Sequence, residues 1–195
     1  MSRALTTFGL VMQSLAVSCD YALADVTADS TLQEKLMHRF NRAWKRCWEA
    51  ELWEDALEGA TLTPAAGLIS FTAVENGRRF ALFSEDPLPH DSAAYAVDFR
   101  TATTGIQVQS ALGTVYALWV AKPTTWEWAN VAAATPIPEM LVEAAVEMTA
   151  GYHNRDTGNI GTGEARIKAA LQMLEELAAN EFQRVQRSTW RRAFN

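Results

Sequence analysis

The hydrophobic period of this chain changes twice, and no fold of a single class satisfies all three stretches. Up to about residue 55 apolar side chains recur every three or four positions. From about 61 to 122 they form short alternating runs, and from about 137 the helical period returns. The pattern predicts an α+β fold: two N-terminal helices, a small antiparallel β-meander, and two C-terminal helices that pack with the first pair as a bundle of about four.

The strongest stripe is Leu32, Leu36, Phe40, Trp44 and Cys47 or Trp48, which predicts a helix over 31–55 capped by Ser30 or Thr31. A first helix is expected over about 6–24, capped by Thr6 or Thr7, with Leu10, Leu15, Val17, Tyr21 and Leu23 on an irregular apolar face. In the middle region "LISFTAV", "RFALFS", "AYAVDFR", "GIQVQ" and "TVYALWVAK" read as four or five strands, separated by Asn76-Gly77, a proline loop, Gly105 and Gly113. Pro136 and Pro138 with Glu139 start a helix over about 137–153, with Met140, Leu141, Ala144, Ala145 and Met148 inward. The polar "HNRDTGNIGTG" over 153–163 reads as a loop. A long last helix over about 163–190 carries the seam Ile167, Leu171, Leu174, Ala178, Phe182 and Val185, and a tail over about 183–195 outruns it. With 195 residues, 49% hydrophobic and 21% charged, residues 1–195 are read as one domain.

A net charge of -6 argues against a surface that attracts polyanions everywhere. The charge is uneven: residues 164–195 carry six basic and four acidic groups, so a basic end follows an acidic body. Cys19 and Cys47 lack metal-ligand spacing and read as small buried apolar residues. "LAVSC" ending at Cys19 resembles a lipoprotein cleavage box, but Gln13 and Ser14 interrupt the apolar run before it, and Ala16 stands where Leu is usual. No run approaches the about 20 apolar residues of a membrane span, and no membrane association is expected.

Chemistry is hard to place. His38, His90 and His153 stand in no metal pattern, "HDS" at 90–92 is adjacency rather than a triad, and "GNIGTGEA" lacks both the preceding strand and the lysine of a phosphate loop. Adjacent carboxylates such as Glu54 and Asp55, Glu85 and Asp86, or Glu175 and Glu176 point to different faces. The reading is therefore a non-enzyme with no catalytic, metal or cofactor site. What remains is surface. Lys35, Arg39, Arg42 and Arg46 precede Glu49, Glu54 and Asp55, so basic charge early and acidic charge late oppose the helix dipole. Either the helix stops near Glu51 to Trp53, or the two charge groups meet their counterparts in a neighbouring subunit. Aromatic residues beside the cations also admit a nucleic-acid reading, which the acidic half opposes.

The order of "RFNRAWKRCWEAELW", "ATLTPAAGLISF", the meander "LISFTAVENGRRFALFSEDP…AVDFRTATTGIQV", "TPIPEMLVEAAVEMTAGYHN" and a long final helix resembles the head-to-tail adaptor proteins of tailed bacteriophages, the group of tail tubular protein A and the head-completion proteins. It covers nearly the whole chain as an order of elements, while "WEWANVAAA" over 126–134 departs from that pattern. The resemblance implies a virion structural protein of the neck, assembled in the host cytoplasm as a homo-oligomeric ring of about twelve subunits. Such a ring sits beneath the portal protein, continues the channel for genome DNA without sequence-specific binding, and carries a tail or nozzle protein. It also implies a portal-docking tail with Arg184, Arg187, Trp190, Arg191, Arg192 and Phe194, aromatic anchors fastened by arginines. A virion cell-wall hydrolase and a lipoprotein anchored at Cys19 are the alternatives.

Overall fold

The computed structural model describes residues 5–50, 53, 57–74, 78–87, 94–108, 113–132 and 136–185. The chain is a mixed α+β protein whose contacts group into two compact units: Met1–Glu51 with Pro123–Asn180, and Leu52–Lys122 with Glu181–Asn195.

The first unit is helical. Strand β1 (Leu5–Thr7) pairs antiparallel with β8 (Pro136–Pro138), and each leads directly into a helix, α1 (Phe8–Ser18) and α5 (Glu139–Asp156). Helix α1 buries Phe8, Val11, Met12, Leu15 and Ala16, a spacing of three and four that turns one face inward. It stops sooner than the expected 24. Asp20 takes a left-handed φ of 59°, and the Tyr21 amide donates back to the Ala16 carbonyl at 2.9 Å, closing the helix without a glycine. A short α2 (Leu23–Ala28) follows. Helix α3 (Ser30–Ala50) is capped by Asp29, not by Ser30 or Thr31: its Oδ1 accepts from the amides of Thr31 at 2.9 Å and Leu32 at 3.2 Å. Its inward residues, Leu36, Met37, Phe40, Ala43, Trp44, Cys47 and Trp48, pack chiefly on α5.

Trp126, in the stretch over 126–134, belongs to this core. Its ring stacks on Phe8 with centroids 4.7 Å apart and meets Trp44 edge-on at 6.0 Å, and it is 4% exposed. The Asn41 side chain holds its backbone from both sides, accepting from the Trp126 amide at 2.7 Å and donating to its carbonyl at 2.8 Å. A four-residue helix α4 (Ala129–Ala132) leads on toward β8.

The expected loop over 153–163 contracts to three residues. Helix α5 continues to Asp156, Gly158 turns the chain with φ 92°, the Asn159 amide reaches back to the Asn154 carbonyl at 2.8 Å, and α6 (Ile160–Val185) begins at once. Of the glycines read as loop, Gly163 instead lets two helices touch, opposite Gly151 of α5. A Cβ at Gly151 would lie 2.9 Å from the Gly163 carbonyl oxygen, and one at Gly163 would lie 2.7 Å from the Gly151 oxygen. Of the expected seam on α6, Leu174 is buried, Ile167, Leu171 and Ala178 are half-buried, and the side chains of Phe182 and Val185 lie outside the described residues.

The second unit holds two three-stranded antiparallel sheets where one meander was expected. One has the order β2 (Leu57–Leu62), β7 (Val115–Val120), β4 (Arg78–Phe83); the other has β3 (Leu68–Ser70), β6 (Gly105–Val108), β5 (Phe99–Ala102). The central β7 is buried on both faces, with Val115, Ala117 and Trp119 in one cluster and Leu118 in another, which is why "VYALWV" shows no polar alternation. "LISFTAV" is a strand for three residues and then a 3-10 turn over Phe71–Val74.

Replacing glycine by alanine inside a helix ordinarily stabilises by about 1 kcal/mol. Gly151→Ala is expected to reverse that sign and cost about 1–3 kcal/mol, because the added methyl meets backbone across the helix pair. Gly161→Ala, which points into open space, is the control and should be neutral or stabilising; urea unfolding of both variants makes the comparison.

Candidate functional site

The outer face of α3 is the most chemically distinctive surface of the helical unit. That unit carries nine Lys and Arg against fourteen Asp and Glu, yet five of the nine cations, Lys35, Arg39, Arg42, Lys45 and Arg46, stand on α3. The helix dictates this segregation: with 3.6 residues per turn, the positions opposite Phe40, Trp44 and Cys47 turn to solvent, and Lys35, Arg42, Lys45 and Arg46 are exposed.

Arg42, Lys45, Arg46, Glu49 and Ala50 of α3, with Tyr152 of α5 and Leu171 of α6, line an open groove of about 530 Å³. Tyr152 is its organising side chain. The Arg42 guanidinium lies 4.5 Å from the centre of the Tyr152 ring, and Arg46 Nη1 donates to the Tyr152 hydroxyl at 3.5 Å, so two like charges four residues apart lean on one buried phenol. Neither arginine, nor Lys45, forms an ion pair among the described residues, and the one carboxylate in the groove is that of Glu49. A second recess beside it is lined by Arg42, Tyr152, Arg155, Asp156 and Ile160, and a third by His38, Asn41, Arg42, Lys45 and Pro123–Thr125.

Of the residues singled out as a subunit contact, Lys35, Arg42 and Arg46 are on this exposed face, and Glu49 is exposed at its C-terminal end. Arg39 is spent internally. Its Nε lies 2.7 Å from Asp156 Oδ2 with the side chain only 14% exposed, so it fastens α3 to the end of α5. Glu54 and Asp55 lie outside the described residues, as do Arg187, Trp190, Arg191, Arg192 and Phe194. Arg184 is in the last turn of α6, its side chain likewise outside them. The described helix runs to Ala50 and carries Glu49, with no basic residue, in its last turn, so an acidic group still faces the helix's negative end.

Cys19, Cys47 and His153 are buried. Burial pushes the Cys19 thiol up to about 11 and the Cys47 thiol up to about 12, so both are protonated at neutral pH. His153 is 7% exposed, its ring 5.2 Å from that of Tyr21, and its Nδ1 has no hydrogen-bond partner. Burial lowers its pKa and the Arg39 cation lowers it further, against the opposing pull of Asp156 and Asp20. Among the described residues no group of three or more His, Cys, Asp and Glu is placed to hold a metal ion, and no helix is long and apolar enough to cross a membrane.

The chain matches no protein-family model and no curated protein sequence.

A histidine whose folded pKa is depressed favours the fold above its unfolded value of about 6.5, and that contribution is lost as pH falls below it. Wild type should therefore lose stability between pH 7.5 and 5, and His153→Gln should lose less over the same interval, as read from urea midpoints at the two pH values.

Proposed function

We propose that this chain is a structural protein of a tailed-phage virion, a head-to-tail adaptor that assembles as a ring beneath the portal and offers a platform to a tail or nozzle protein. In this reading α1, α3, α5 and α6 form the four-helix bundle of each subunit, and the residues after Glu181 dock on the portal. The observation that carries it is the open groove of Arg42, Lys45 and Arg46 over Tyr152, three exposed cations that form no ion pair among the described residues and share the groove with one carboxylate, Glu49. The acidic balance of the chain as a whole suits a channel wall that passes DNA without retaining it. The element order supports the same reading through its resemblance to the phage adaptors.

Electron microscopy of the purified protein with its cognate portal is expected to show rings stacked coaxially on the portal. A chain truncated after Glu181 should retain its circular dichroism and fail to dock. Docking that survives the truncation would remove the C-terminal assignment, and a wild-type chain that never associates with the portal would remove the adaptor reading itself.

A further inference from the structure

The cationic face has a counterpart on the same unit, and helix geometry fixes where it lies. On α5, Glu143 and Tyr152 are nine residues apart; at about 100° per residue they point to opposite sides of the helix. On α6, Leu171 and Met173 are two residues apart, about 200°. Tyr152 and Leu171 line the basic groove, whereas Glu143 and Met173 line a different groove of about 460 Å³ between α1, α5 and α6. Two helices thus agree that the grooves stand back to back across the α5–α6 pair.

This second groove is apolar below and acidic along its rim. Val11, Val142, Val146 and Met173 line it, and Glu139, Glu143 and Glu147 stand at successive four-residue steps. Glu147 lies 3.7 Å from Arg166, while Glu139 and Glu143 have no cationic partner among the described residues. The α1 wall adds Leu10, 55% exposed, and Val17 on the same stripe is 74% exposed. Exposed apolar side chains beside unpaired charge mark a contact surface, not a solvated one. The charges match in pitch as well as in sign: Arg42 and Arg46, like Glu139 and Glu143, are one four-residue step apart, about 6 Å along their helices.

We propose that the outer ridge of α3, with Lys35, Arg42, Lys45 and Arg46, docks in the Glu139–Glu143–Glu147 groove of a second copy of this chain. This rests on the assembly reading above and replaces the acidic partner expected at Glu49, Glu54 and Asp55. Because ridge and groove face opposite ways, two copies cannot satisfy both contacts with each other. The contact is heterologous and runs head to tail, closing as a ring or continuing as a filament according to its rotation. Exposed ion pairs each contribute little, so the association is weak, rises with concentration and is screened by salt.

Sedimentation velocity of the full chain tests it. At low salt the average mass should rise with protein concentration, and it should fall to that of the monomer at about 1 M salt, where the screening length is about 3 Å. Arg42→Glu with Arg46→Glu, and separately Glu139→Lys with Glu143→Lys, should each give monomers, with circular dichroism and melting checked against wild type. An equimolar mixture of the two double variants should associate again, since each now complements the other and not itself.

A wild-type chain that stays monomeric at low salt overturns the proposal, as do a single double variant that associates like wild type and a mixture that stays monomeric while both variants are folded. Retention of a DNA duplex by the α3 ridge without self-association would also overturn it, assigning the ridge to nucleic acid. Portal docking is read separately: a chain that docks yet fails these tests keeps the adaptor reading and loses this contact. A chain that passes them without docking does the reverse.

Discussion

The helical unit depends on how one tryptophan is seated. Trp126 comes from an irregular stretch 85 residues after Asn41, yet it lies between Phe8 of α1 and Trp44 of α3 with its backbone held on both sides by the Asn41 amide. The seat has a cost, because the indole N–H groups of Trp44 and Trp126 find no partner, which is worth about 1–3 kcal/mol each. Burying an indole removes about 150–250 Å² from water, worth about 4–6 kcal/mol at about 25 cal/mol per Å², so each ring still favours the fold. Asn41 is what makes that burial available: without it the amide and carbonyl of Trp126 would enter a part-buried site unpaired.

Once that side of α3 is committed to the core, its other side has no choice but to be surface. Arg39 marks the division. It is the α3 cation turned far enough toward α5 to pair with Asp156, while Arg42, one turn on, lies over the Tyr152 ring and Arg46, two turns on, donates to the Tyr152 hydroxyl. Tyr152 can support them because α5 is itself held close to α6, backbone near backbone at Gly151 and Gly163.

What the sequence makes legible follows from how local each signal is. The α3 stripe is readable because Leu36, Phe40, Trp44 and Cys47 repeat at the helical period, and Lys35, Arg42 and Arg46 as surface follow from the same count. The end of α1 is not, because Asp20 takes the left-handed position that glycine would have announced. Glycines misled in the opposite direction over 158–163, where Gly158 alone makes the turn and Gly163 is a packing residue inside α6. Strand β2 escaped because "LEGATL" is half-exposed and carries no clean alternation, and the two-sheet arrangement because β2 pairs with β7, more than fifty residues away along the chain. Trp126 is an isolated aromatic with no periodic neighbours, and the Tyr152 contacts join helices about 106 residues apart, which no local pattern encodes.

The change of charge sign after Arg46 also takes a different meaning. Glu49 stands in the last turn of α3 and Glu58 in β2, so the described residues of the acidic run are divided between helix and strand. On their own face the cations of α3 share the groove with Glu49, in a unit whose carboxylates outnumber its cations. Those carboxylates are not spread evenly. Glu139, Glu143 and Glu147 share one side of α5, and Tyr152 with its arginines occupies the other. A helix that separates charge across its own thickness gives its unit two unlike faces, and unlike faces on opposite sides favour propagation over pairing. The proposed directional assembly would then require no dedicated domain, only the register of two helices and the core that fixes them.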